Sequence, residues 1–156
     1  MPDTGPHVAV AVLCERVITE GDGVLSLIRI VDRVTQSATG PDPPDLMPAF
    51  IVDNLQMVLA LKSDQARGRH RIKLVIEDPS TTRTPVTEND VNLSPGNQGI
   101  NVVIPVKLGL ELEGVYWIDV ILSAPRGQED KLMTRVPIEV VYQRQRVPVE
   151  PDQSES

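Results

Sequence analysis

The stretch Asn54-Leu55-Gln56-Met57-Val58-Leu59-Ala60-Leu61-Lys62 decides the fold class. Leu55, Met57, Leu59 and Leu61 fall on one parity, with Asn54, Gln56, Val58, Ala60 and Lys62 on the other. Side chains along a strand point to opposite faces in turn, whereas a helix needs apolar residues three and four apart. The stretch is therefore a strand with one face in a core. In 70–77, Ile72, Leu74 and Ile76 alternate with Arg71, Lys73, Val75 and Glu77. In 132–142, Leu132, Val136, Ile138, Val140 and Tyr142 share one parity. No segment sustains a period of 3.6.

Working outward, other segments are apolar on both parities. Val8 to Leu13 contains no polar residue, which suits a strand covered on both sides or one lying near a second chain. The run 24–35 is long and rich in β-formers, and 100–108 and 115–123 are similar. Seven strands are predicted, near 8–14, 24–35, 54–62, 70–77, 100–108, 115–123 and 132–142, with a short eighth at 91–93. Glu20-Gly21-Asp22-Gly23 tolerates the positive φ of a tight connection between the first two. Asp78-Pro79-Ser80 ends the fourth strand and Ser94-Pro95-Gly96-Asn97 precedes the fifth. Ala124-Pro125-Arg126-Gly127 reads as the turn of a final hairpin. The stiff segment Thr39-Gly40-Pro41-Asp42-Pro43-Pro44-Asp45 reads as a crossover between sheets. Pro105 and Pro137 cannot donate to a ladder and belong at an edge or a bulge. The expected fold is all-β, an antiparallel two-sheet β-sandwich of seven to eight strands.

Composition sets the frame. The 156 residues, 40% of them hydrophobic, suit one domain. We expect a flexible 1–7, a sandwich over 8–143 and a disordered acidic tail over 144–156. No run of 18 apolar residues is present, and no basic start leads into an apolar stretch, so neither a membrane span nor a secretory leader is expected. Fifteen Lys and Arg against 22 Asp and Glu give a net charge of −7, which argues against a nucleic-acid binder. A single cysteine, Cys14, neither staples the fold nor forms a CxxC site, and its lack of a partner suggests the cytoplasm.

Reactive constellations are missing from the sequence. There is no G-x-S-x-G elbow and no glycine-rich phosphate loop. Cys14 ends an apolar strand and reads as a small buried hydrophobe, with His7 or His70 the only histidines that could activate it. Two distant histidines make no dense metal cluster. Carboxylates gather in pairs read as loop residues, Glu20 with Asp22, Asp42 with Asp45 and Glu88 with Asp90; such pairs could hold Ca²⁺, yet none follows a calcium-loop pattern. Positive charge concentrates at Arg67, Arg69, Arg71 and Lys73, a possible anion patch or the wet face of a strand. No aromatic platform for nucleic acid lies nearby.

Four aromatic residues in all leave little for sugar stacking. Tyr116 shares a parity with Ile118, Val120 and Leu122, so it belongs to the core. Trp117 lies on the other parity with Val115, Asp119 and Ile121. A Trp flanked by Val115 and Ile121 on an outer face is either covered by the 41–48 loop or anchors a protein contact.

Cys14-Glu-Arg-Val-Ile-Thr, then Gly23-Val-Leu-Ser-Leu-Ile-Arg-Ile-Val-Asp-Arg-Val34, together with Asp78-Pro79 and Gly114-Val-Tyr-Trp117, resemble a bacterial family of small proteins with no assigned function. The resemblance spans roughly Val8 to Tyr142. It implies a β-sandwich and brings no catalytic residue. The Gly-x-Tyr pattern is also similar to that of immunoglobulin-like sandwiches, though no cysteine pair of the antibody kind is present.

The expected function is a non-catalytic binding or scaffolding module acting through protein–protein contacts, without cofactor or metal. A symmetric homodimer through Val115, Trp117 and Ile121 is one form of it. The alternative is a sandwich that binds a small ligand or ion, Ca²⁺ or an anion, with its loops. An enzyme is the least expected class.

Overall fold

Nine strands and no helix make up the described residues of the computed structural model, which are 5–94, 96–123 and 130–148. In chain order these are β1 (His7–Thr19), β2 (Leu25–Ile30), β3 (Arg33–Gly40), β4 (Phe50–Asp64), β5 (Gly68–Glu77), β6 (Arg83–Leu93), β7 (Gly96–Leu110), β8 (Gly114–Ser123) and β9 (Lys131–Arg146). A four-stranded sheet runs β2-β1-β4-β7, and a five-stranded sheet runs β3-β9-β8-β5-β6. Neighbours are antiparallel except β3 and β9, which run parallel from Arg33 opposite Glu139 to Gly40 opposite Arg146.

The alternation read in 54–62 and 70–77 is what buries the core. Leu55, Met57, Leu59 and Leu61 of β4 are buried with Ile104 and Leu108 of β7, and the second sheet contributes Ile72, Leu74, Ile118, Val120 and Ile138 to the same cluster. The 39–45 segment does carry the chain from one sheet to the other, since it leaves β3 and leads to β4.

Nine strands replace the expected seven or eight. The run 24–35 is two strands, broken at Val31 and Asp32, so that β2 extends one sheet and β3 edges the other. The short strand expected at 91–93 is the end of an eleven-residue β6. Glu88 and Asp90 consequently lie within a strand, not in a loop. Leu132 was expected in the core but is 53% exposed. The register steps from Val120 opposite Thr134 to Ile121 opposite Leu132, so one extra residue in β9 turns Leu132 to the outer face. β9 continues to Arg146, three residues into the expected tail, because β3 pairs with it as far as Gly40. Residues 149–156 of that tail, the first four residues of the N-terminal segment and the 124–127 turn lie outside the described residues.

Both prolines conform to the rule that excludes them from full ladders. Pro105 sits on the edge strand β7. Pro137 lies in β9, which has neighbours on both sides, but pairing with β3 begins only at Glu139, so one flank is open there.

Candidate functional site

The outer face of the five-stranded sheet holds the residues singled out around Trp117. Asp119 projects from β8 into this face yet is only 2% exposed. Arg135 stands directly opposite on β9 and donates from Nε to Asp119 Oδ1 at 2.6 Å. Arg83 of β6 donates to Asp119 Oδ2 at 2.6 Å, and Arg135 also reaches Glu77 of β5 at 2.7 Å. Burial by itself would raise the Asp119 carboxyl, but hydrogen bonds from Arg135 and Arg83 outweigh it and hold the group below the usual carboxylate range.

This cluster changes the reading of Trp117. The Arg135 guanidinium lies 4.9 Å from the ring centroid. Trp117 is half-buried under a side chain of its own sheet. The 41–48 loop, expected as its cover, instead packs at the end of β9: Pro44 accepts from Tyr142 at 2.7 Å, Pro43 accepts from Arg144 at 3.1 Å, and Met47 joins the core. Val115 is exposed and Ile121 half-buried on the same face, but the Asp119 cluster separates them, so the three residues form no continuous apolar patch.

The four cations of the possible anion patch divide into two pairs. Arg71 is held by Asp90 at 3.0 Å and Glu88 at 3.2 Å, and Lys73 reaches Asp130 at 3.4 Å. Arg67 and Arg69 remain exposed and without an ion pair among the described residues. The wet face of a strand describes Arg71 and Lys73 better than an anion cradle does.

The carboxylate turns are also engaged. Glu20 accepts from Ser26 at 2.8 Å, Asp22 accepts from the Val24 amide at 3.1 Å, and Asp45 pairs with Arg144 at 2.9 Å. Among the described residues no group of three His, Cys, Asp or Glu could hold a metal ion. Cys14 is fully buried, which pushes its thiol pKa up. His70 is bonded through Nδ1 to the Gly68 carbonyl at 3.1 Å. A cleft of about 390 Å³ opens between β6 and β7 beside Asp78, Thr84, Lys107 and Glu111. The Tyr116 hydroxyl at its wall is already satisfied by the Leu112 amide and carbonyl, each at 2.9 Å.

The strongest surface feature is on the opposite side of the molecule. β1 is apolar on both parities, and its inner residues Ala11 and Leu13 face the core. Among the described residues no third sheet or helix lies over its outer residues Val10, which is exposed, and Val12, which is half-buried, while Cys14 and Val58 beside them are buried. Across the four-stranded sheet the outward rows read Ile30, Cys14, Gln56 and Pro105, then Val12, Val58 and Val103, then Val10, Ala60 and Asn101. Ile30 is 62% exposed, Val10 41% and Ile28 38%. As for the two readings of Val8 to Leu13, the described residues leave Val10 exposed and Val12 half-buried.

Among the described residues no helix is long and apolar enough to cross a membrane. No protein-family model matches the chain, and no curated protein is significantly similar to it.

Proposed function

We propose that the protein is a non-catalytic binding module, acting through protein–protein contacts on the outer face of its four-stranded sheet. The observation that carries this reading is the exposed apolar surface of Val10, Ile28 and Ile30, with half-buried Val12 and Val103 beside them. Exposed apolar surface of this kind marks sites of interaction.

An immunoglobulin-like arrangement is part of the proposal. Its support is the Tyr116 hydroxyl, which bonds back to Leu112 near the start of β8, as in the tyrosine corner of such domains. The chain also changes sheets between β7 and β8, and β8 then pairs with β9. The resemblance to small bacterial proteins without assigned function agrees with a scaffold and adds no chemistry. Unpaired Cys14 supports a cytoplasmic setting.

Affinity capture from the native host with the wild type and with Val12→Asp/Ile30→Asp tests the reading. Proteins retained by the wild type and lost with the variant, folded by circular dichroism, are the expected result. Identical sets of captured proteins would overturn it. Light scattering at high concentration tests the homo-oligomer in parallel, since a strict monomer removes self-association.

A further inference from the structure

We infer that the outer face of the four-stranded sheet docks an acidic protein segment whose carboxylates flank branched apolar side chains. The inference rests on the proposed binding function and assigns the chemistry of the partner.

The charge on this face carries the argument. Arg16 of β1, Lys62 of β4 and Lys107 of β7 share the outward parity of Val12, Val58 and Val103 and stand around them. All three are exposed, and among the described residues none of them is ion-paired. Asp53 lies in the β4 bulge, Asp78 and Glu111 line the cleft with Lys107, Glu15 is engaged by Arg29 at 3.3 Å, and Asp64 at the far end is engaged by His7 at 3.3 Å. A chain of net charge −7 thus sets three exposed cations, without an ion pair among the described residues, around the apolar residues of this face. On the outer face of the other sheet Arg71, Lys73, Arg83 and Arg135 each meet a carboxylate, whereas Arg69 at the start of β5 does not.

The same charges rank the possible occupants. A second copy in a symmetric contact through this face would bring two sets of Arg16, Lys62 and Lys107 into one interface, and like charges gathered there oppose association. An anionic bilayer is recognised by clusters of about 4–8 cations, against three here, and would repel the acidic body behind them. An acidic segment meets both features: its apolar side chains cover Val10, Ile28 and Ile30, and its carboxylates reach Lys62, Lys107 and Arg16.

Two synthetic peptides test this on the full chain, one alternating Leu and Glu and the other alternating Leu and Lys. Binding is followed by amide chemical shifts of Val10, Val12, Ile28, Ile30, Val58 and Val103 at low and high salt. The expected result is binding of the Leu-Glu peptide alone, weakened by salt, with shifts confined to this face. Lys62→Glu/Lys107→Glu changes only exposed side chains and should weaken that binding at least about tenfold while favouring the Leu-Lys peptide. Equal binding of both peptides, or an unaltered charge-reversal variant, overturns the assignment. Sedimentation and flotation with vesicles of phosphatidylcholine and phosphatidylserine supply the remaining arms. A dimer dispersed by Ile30→Asp, or vesicle binding lost in Lys62→Glu/Lys107→Glu, would keep the face as a binding surface and overturn the acidic partner. If peptides, copies and vesicles all leave these shifts unmoved, the acidic-segment assignment falls, whereas the host capture comparison alone decides the binding function.

Discussion

Arg135 and Asp119 face each other across the β8–β9 ladder at 2.6 Å, and the same guanidinium covers Trp117. One arginine thereby neutralises a buried carboxylate, shields an aromatic ring from water and links β9 to Glu77 of β5. Arg83 closes the cluster from β6, so four strands of one sheet are tied on their outer side.

Replacing Asp119 by Ala should destabilise the protein by about 1–3 kcal/mol in urea unfolding, the range for lost charge-assisted hydrogen bonds. A larger loss is not expected, because Arg83 and Arg135 have side chains 44% and 37% exposed and can turn to water. The double variant Asp119→Ala/Arg135→Ala should lose less than the sum of the single changes, since the two residues share one interaction.

Acid should weaken the fold in a defined window. The Asp119 carboxyl is held below its ordinary value, and so are Asp78, through the Ser80 hydroxyl, and Asp130, through the Ser123 hydroxyl. A depressed carboxyl contributes stability that is complete above its unfolded value near ~3.9 and lost as pH falls through the folded value. Thermal midpoints measured from pH 7 to pH 2 should therefore hold level across neutral pH and drop in acid. Asp119→Asn should start lower and drop less.

Tyr116→Phe should cost about 1–3 kcal/mol with little change in shape. The hydroxyl accepts from the amides of Glu111 and Leu112 and donates to the Leu112 carbonyl, and the ring is 3% exposed. Phenylalanine keeps the packing and strands those backbone groups. A midpoint equal to the wild type in thermal unfolding would contradict this role.

Trp117 is the single tryptophan, so fluorescence reports on one ring. Arg135→Ala should shift its emission to the red and increase quenching by iodide, and Arg33→Ala should leave both unchanged. Unaltered emission in Arg135→Ala would mean that the guanidinium does not cover the ring in solution.

Cys14 should react with a thiol reagent only after unfolding. It is fully buried and its thiol pKa is raised, both of which suppress the thiolate. One equivalent released rapidly by the native protein would be incompatible with its full burial.

The sheet faces were legible where parity is strict. Leu55 to Leu61 and Ile72 to Ile76 enter the core as their alternation requires. The break at Val31 and Asp32 was hidden because β-formers continue through it, and the change of sheet is imposed by β9, which offers β3 its free edge. β6 was largely missed because Thr84, Thr87, Glu88, Asn89 and Asp90 give an edge strand no apolar pattern. Leu132 misled because a bulge resets parity without a sequence mark. The apolar residues Val10 and Val12 were visible in the sequence, but only topology tells that among the described residues no third sheet or helix lies over them. The Asp119 cluster could not be read at all, since its arginines lie 36 and 16 residues away.

The parallel pairing of β3 with β9 has a mechanical consequence. β1 starts beside Lys62 at one end of the sandwich, and β9 finishes beside Gly40 at the other. Tension applied through these two strands would pull along their axes, so the rungs from Arg33 to Gly40 would share the load at once instead of peeling one after another. As a link between two anchored bodies, the domain would resist stretching far better than a hairpin opened from its end.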